Sequence, residues 1–142
     1  MMSSDIERLE QLAEELVRDF EIHAPPIPIE TMLQRPKDGM WETVDVNQLS
    51  GTFLSIRDQY SPRMSLARLL VRHIASSPWG KARGVMEILR KDEENIKAFA
   101  RMLVMPREMV NSLPSSGRNP GAMNIEFEVP EDDAYQRLAE LG

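Results

Sequence analysis

Residues 61–77 read SPRMSLARLLVRHIASS, and the fold prediction starts from this stretch. Its apolar side chains recur at intervals of three and four residues, the spacing of a helix that buries one face. They are Leu66, Ala67, Leu70, Val71 and Ile74. Pro78 follows directly and ends the pattern, because proline cannot donate the next helical hydrogen bond. The stretch therefore predicts a largely buried helix near the middle of the chain.

The segment before this helix has a different periodicity. Residues 40–60 read MWETVDVNQLSGTFLSIRDQY, in which Thr52 and Leu54 alternate with Phe53 and Ser55. Alternation with a period of two, in a stretch rich in β-branched and aromatic residues, favours strands. We therefore expect two or three short antiparallel strands here.

Helical patterns lie on both sides of the predicted strands. Apolar spacing predicts helices over residues 5–20 and 91–104, a short helix that begins at Pro28 and runs through Ile29, Met32 and Leu33, and a helix that begins near Pro130. Residues 79–92, WGKARGVMEILRKD, fit either a loop or a short helix, because two glycines interrupt them. Residues 111–124, NSLPSSGRNPGAMN, predict a linker or an exposed loop. Together the patterns predict an α+β fold, with helices packed on a small antiparallel three-stranded sheet.

The composition limits the classes of protein to consider. The chain has 142 residues, of which 42% are hydrophobic and 28% charged, the balance of one globular domain. It contains no cysteine, which excludes disulfides, thiolate metal sites and cysteine nucleophiles. Its net charge of −6 argues against direct nucleic-acid binding, because that binding depends on basic patches.

The start of the sequence bears on localisation. Residues 1–12, MMSSDIERLEQL, are acidic and amphipathic rather than basic and then apolar. No apolar run approaches the ~20 residues that a membrane-spanning helix needs. The sequence therefore predicts a cytoplasmic protein with no membrane segment.

Five segments of the chain, taken in order, form a recognisable set. They are PPIPIE (25–30), LSGTFLSI (49–56), RMSLARLLVRH (63–73), AFARMLVMP (98–106) and FEVPEDDAYQRLAELG (127–142). The set resembles the ImmA/IrrE family of zinc metallopeptidases, which are encoded beside repressors in bacteria and phages. The third segment is similar to that family's H-E-x-x-H region, and the fourth to its small-Phe-Ala, apolar, Met-Pro signature.

The resemblance also implies a domain organisation. It predicts zincin-like helices on the three-stranded sheet, within a metallopeptidase-like domain over residues 1–111. Residues 112–142 would then form a linker and a C-terminal helical extension of the same domain.

Every position that would hold or use zinc in this family is changed. Carried over residue by residue, the two histidine ligands fall on Arg68 and Arg72, the glutamate base on Leu69 and the third ligand on Asn95. A guanidinium has no lone pair to give a metal, and leucine cannot accept a proton. The resemblance therefore implies a degenerate member with no catalytic residue, no metal and no cofactor.

The two histidines do not restore a metal site. His73 follows Arg72 directly, but a step of one residue turns a helical side chain by about 100°, away from the face that the ligands need. His23 is isolated in the proline-rich segment. We therefore expect neither histidine to bind a metal.

Two hypotheses concern the substituted site. Arg68 and Arg72 keep the i, i+4 spacing of the ligands, so the first hypothesis is that they pair with Glu94 across two helices that zinc would otherwise join. An exposed basic face with weak ion pairs is its alternative. The second hypothesis is that the former cleft, lined by Arg63, Arg68 and Arg72, binds a protein without cutting it.

These observations lead to one functional expectation and one alternative. We expect a pseudoenzyme, a catalytically inactive metallopeptidase-like protein that acts through protein contacts in transcriptional or stress regulation. By resemblance its partner is a repressor-type regulator, and a homodimer is a further option. The alternative is an active metal-dependent peptidase that cleaves a repressor, with a relocated or intersubunit metal site.

Overall fold

The structure, a computed structural model, describes residues 4–45 and 60–142. Within these ranges the chain forms nine α-helices and one 3-10 turn, the latter at Ser115–Gly117. The α-helices are Ser4–Asp19 (α1), Ile29–Gln34 (α2), Ser61–Ser76 (α3), Pro78–Arg83 (α4), Val85–Lys91 (α5), Glu94–Val104 (α6), Arg107–Asn111 (α7), Pro120–Phe127 (α8) and Glu131–Leu141 (α9). None of the helices in this part of the chain is long and apolar enough to cross a membrane.

Helices α3 and α6 form the centre of the fold. α3 packs against α6 and against α2, α4 and α5, while α6 also contacts α1 and α9. The apolar face predicted for α3 is buried, and Leu70, Val71 and Ile74 are fully inaccessible to solvent. Phe99 of α6 is equally buried in the same core. Burial of apolar surface is the dominant favourable term in folding. The shared core therefore holds α3 and α6 together, and the side chains on their outer faces are placed by this packing.

The helices predicted from apolar spacing are confirmed. α1, α2, α3 and α9 lie where the pattern predicts them, and α6 begins three residues later than expected, at Glu94. The later start has a local cause. Asp92 is extended, and its Oδ1 accepts a hydrogen bond from the Glu94 amide at 2.9 Å, which separates α5 from α6.

The segment left open between loop and helix, residues 79–92, lies mostly in α4 and α5. Gly84 adopts a left-handed conformation (φ 71°) between them, which a residue with a side chain rarely adopts. Gly80 lies inside α4, where a Cβ would stand 1.9 Å from the Ile74 carbonyl oxygen of α3. The two glycines thus permit a tight corner between short helices.

The linker predicted over residues 111–124 is only partly present. Helix α8 occupies Pro120–Phe127, and its first part lies within the predicted loop. Asn119 caps it, because its Oδ1 accepts a hydrogen bond from the Ala122 amide at 2.9 Å, and Pro120 suits the first helical turn. Met123 of α8 is fully buried, so the helix contacts the core.

The predicted α+β fold is wrong. Residues 4–45 and 60–142 contain helices, turns and connecting segments, and no strand occurs among them. The described beginning of the predicted strands packs on α2 instead. The Trp41 indole Nε1 donates to the Met32 carbonyl oxygen at 3.0 Å, and the Val44 amide donates to that of Leu33 at 3.0 Å. These two hydrogen bonds connect Trp41 and Val44 to the end of α2.

The alternating part of the predicted strand segment, which includes Thr52, Leu54 and Ile56, lies outside the described residues. Within the described residues, the zincin-like arrangement of helices on a three-stranded sheet is corrected to a helical core built on α3 and α6.

Candidate functional site

Arg68 and Arg72, which the resemblance places at ligand positions, lie one turn apart on α3. Arg68 is half-buried, and its Nη2 donates to Ser65 Oγ at 3.1 Å. Arg72 is exposed and makes no ion pair with any described residue. No ion pair joins Glu94 to either arginine among the described residues, and Glu94 Oε1 lies 3.5 Å from Lys97 Nζ on its own helix.

Leu69 and Asn95, the other two residues that the resemblance singles out, have structural contacts. Leu69 is half-buried and packs against the core. Asn95 donates through Nδ2 to the Ile88 carbonyl oxygen at 2.9 Å. This bond ties the start of α6 to α5, so Asn95 stabilises the junction of the two helices.

Arg63 belongs to a different part of the surface. It lies nine residues before Arg72, about 14 Å along the helix axis at the usual rise per residue. Its Nη2 donates to the Ile27 carbonyl oxygen, and its Nη1 lies 3.8 Å from Glu30 Oε2. Arg63 thus connects α3 to the segment before α2 by a hydrogen bond. The structure does not place it beside Arg72.

An apolar pocket lies beside Arg72, between α3, α5 and α6. It has a volume of about 270 Å³. Its lining consists of Arg72, Ala75, Met86, Leu89, Arg90, Glu93 and Ile96. We call it the α3–α5–α6 pocket. Aliphatic and thioether side chains form its floor, and three exposed charged residues, two of them arginines, form its rim.

The two rim arginines are available to a ligand. Like Arg72, Arg90 is exposed and makes no ion pair with any residue in the described part of the chain. Glu93 is the third charged group of the rim, so the local charge is positive by one unit. Guanidinium groups bind carboxylates in a two-point geometry, and an adjoining apolar floor strengthens such contacts by excluding water.

The histidines lie apart from this pocket. His73 is half-buried beside residues 40–44, in a separate depression of about 320 Å³. His23 is exposed in the proline-rich segment. Within residues 4–45 and 60–142, no three histidine, aspartate or glutamate side chains are grouped so as to hold a metal ion.

Most of the pocket was not among the sequence-predicted site residues. Only Arg72 was identified, whereas Met86, Leu89 and Arg90 come from the segment left open between loop and helix. A usable signal was present, because Met86, Leu89 and Arg90 have the i, i+3, i+4 spacing of one helical face. The two glycines before them concealed that spacing.

Three comparisons with known proteins gave no match. No protein-family model matches the sequence, and neither a curated protein nor a solved structure matches it.

Proposed function

We propose that the chain is a catalytically inactive protein that binds a short acidic and apolar segment of another protein in the α3–α5–α6 pocket. The observation behind the proposal is the position of Arg72 and Arg90 at the rim of an apolar floor. An acidic side chain of the partner would bind the guanidinium groups, and a neighbouring apolar side chain would occupy the floor.

The pocket is small. Its volume of about 270 Å³ lies at the lower end of the ~300–1,000 Å³ that is typical of sites for drug-sized ligands. It has room for one or two anchoring side chains of a larger partner. Short anchors of this kind give affinity through a few well-packed contacts.

The biological setting of the proposal rests on the resemblance to ImmA/IrrE metallopeptidases. By that resemblance the partner is a repressor-type regulator, and the setting is transcriptional or stress regulation in the cytoplasm. The replacement of the ligand and base positions by Arg68, Leu69, Arg72 and Asn95 supports binding without cleavage.

A peptide titration tests the proposed pocket. The probe is a fluorescent twelve-residue peptide of alternating leucine and glutamate, and its binding is followed by fluorescence anisotropy. Arg72→Glu and Arg90→Glu should each weaken binding by about tenfold, because each replaces an attraction by a repulsion. Lys81→Glu is the matched control, since Lys81 is exposed on α4 and does not line the pocket. Equal binding by all variants, or an equal loss with Lys81→Glu, would contradict the proposal.

A metal analysis separates this proposal from the peptidase alternative. The protein is purified without chelator, and its zinc content is measured together with that of His73→Ala. We expect zinc far below one equivalent in both proteins. One equivalent of zinc that is lost in His73→Ala would contradict the pseudoenzyme proposal.

A further inference from the structure

A second groove lies on another side of the molecule. It runs between the C-terminal half of α1, residues 22–25 and helix α7, and it has a volume of about 580 Å³. None of its lining residues belongs to the α3–α5–α6 pocket. The groove is therefore a separate binding surface, which the proposed function does not use.

The floor of this groove is apolar. Val17 of α1 and Pro106 before α7 are buried beneath it, while Ile22, Met109 and Leu113 are half-buried and reach its surface. Methionine and leucine side chains can adapt to different apolar groups at little cost. The floor can thus accept aliphatic side chains of a ligand.

The walls of the groove are mainly acidic. Glu14, Glu108 and Glu126 line it, against Arg18 and the imidazole of His23. Glu108 and Glu126 are exposed, and neither forms an ion pair with a residue that the structure describes. An approaching cation therefore meets two carboxylates whose charge no described side chain neutralises.

Glu14 is the best positioned of the three carboxylates. It is half-buried, and Arg107 binds its Oε1 at 2.8 Å. No described residue donates a hydrogen bond to its Oε2. The carboxylate is thus held in place through one oxygen while the other remains available in the groove.

Arg107 does not neutralise both of the carboxylates that it binds, which belong to Glu14 and Glu7. It also binds Glu7, with Nη1 at 2.9 Å from Oε2, so one guanidinium faces two carboxylates. The hydrogen bond to Glu7 raises the pKa of Arg107 above its ordinary value, burial opposes this, and Glu14 adds to the increase. Arg107 therefore stays charged at every working pH, and the three groups together have a net charge of −1.

We propose that this groove binds a basic and apolar segment of a partner protein. Aliphatic side chains of the segment lie on the floor near Met109 and Leu113, and its lysine or arginine side chains bind Glu14, Glu108 and Glu126. Charge complementarity favours this occupant, because an acidic or phosphorylated segment would face the unpaired carboxylates of Glu108 and Glu126, whereas Arg18 is the one arginine among the described lining residues. The volume fits several side chains of an extended or helical segment.

The groove is tested with a fluorescent twelve-residue peptide of alternating leucine and lysine. The double variant Glu108→Lys/Glu126→Lys should weaken its binding by about tenfold or more, because two attractions become repulsions. Asp38→Lys/Glu87→Lys is the matched control. It changes the net charge by the same amount at exposed residues outside the groove, and it should alter the dissociation constant less than about twofold.

Two further measurements complete the test. Leu113→Ala should weaken binding as well, and a serine–lysine peptide should bind less tightly than the leucine–lysine peptide, because both changes remove contact with the floor. Circular dichroism confirms that each variant is folded. Equal losses in both double variants, equal binding of the serine–lysine peptide or no binding of the leucine–lysine peptide would overturn the proposal. Arg72→Glu should leave this binding unchanged, which separates it from the proposed function.

Discussion

At the scale of single residues, the ion pair between Arg137 and Glu10 is the most deeply buried polar contact described in the molecule. The Arg137 guanidinium lies 2.6 Å and 2.7 Å from the two carboxylate oxygens of Glu10, and the two side chains are 0% and 1% exposed. Arg137 Nε also donates to the Met105 carbonyl oxygen at 2.9 Å. Two charges removed from water in this way depend on each other, because Glu10 alone would be a buried unpaired charge and Arg137 alone would keep only the longer contact to Glu140 Oε1, at 3.8 Å.

Loss of one partner should therefore be costly. We expect Glu10→Ala to lower the free energy of unfolding by about 3–5 kcal/mol, since it leaves the buried Arg137 charge with Glu140 Oε1, at 3.8 Å from Nη1, as its one remaining carboxylate among the described residues. Urea unfolding followed by circular dichroism measures the change. Glu7→Ala on the same helix is the control, because its pair with Arg107 is partly exposed and should contribute at most about 1 kcal/mol.

A double variant distinguishes a buried charge from a simple packing defect. Glu10→Leu/Arg137→Met replaces both charges by apolar groups, and it should be more stable than Glu10→Ala. A double variant that is less stable than Glu10→Ala would contradict this account of the pair.

At the scale of elements, the corner between α3 and α4 depends on Ser77. Its hydroxyl donates to the Ile74 carbonyl oxygen at 2.6 Å and accepts from the Gly80 amide at 3.0 Å. The side chain is buried, and it connects the end of α3 to the start of α4. Ser77 thus contacts both helices, because its backbone amide also donates to the Ile74 carbonyl oxygen at 3.2 Å and its hydroxyl caps an amide in the first turn of α4.

Ser77→Ala should destabilise the protein by about 1–2 kcal/mol, because it removes the cap of α4 and leaves buried backbone groups without this partner. Ser76→Ala is the matched control, since Ser76 is exposed and bonds only the Arg72 carbonyl oxygen, at 3.1 Å. Its effect should stay within about 0.5 kcal/mol. Equal midpoints of urea unfolding for the two variants would contradict the role given to Ser77.

The elements also show where sequence reasoning succeeds. The apolar faces of α1, α3 and α6 were predictable because helical periodicity is local and each helix buries one side. Residues 79–92 were left open because glycine normally lowers helix propensity. Here Gly80 is required by the close approach of α4 to Ile74 of α3, a contact that no local pattern reveals.

At the scale of the whole molecule, α9 is joined by ion pairs to α1 and to α6. Arg137 of α9 binds Glu10 of α1, and Glu140 of α9 binds Arg101 of α6 at 2.7 Å. Ala134 is fully buried in the core. The C-terminal helix is therefore an integral part of the helical core.

Deletion of residues 131–142 should abolish cooperative unfolding. The deletion leaves Glu10 and Arg101 without their partners and removes apolar contacts of the core. Thermal unfolding by circular dichroism or calorimetry measures the change. Tyr135→Ala is the control, because this side chain is 64% exposed and its loss should cost less than about 0.5 kcal/mol. A truncated protein with an unchanged unfolding temperature would show that α9 is dispensable.

The amino-acid sequence by itself determined the positions of the main helices, the absence of thiol chemistry and the i, i+4 placement of Arg68 and Arg72 on one helix. These are local properties of residue type and spacing. Only the tertiary structure showed that residues 40–45 pack on α2 and that Arg72 meets Arg90 at an apolar pocket. The physical reason is that hydrogen-bond partners and shared surfaces come from residues far apart in the chain, and their choice depends on how the helices pack.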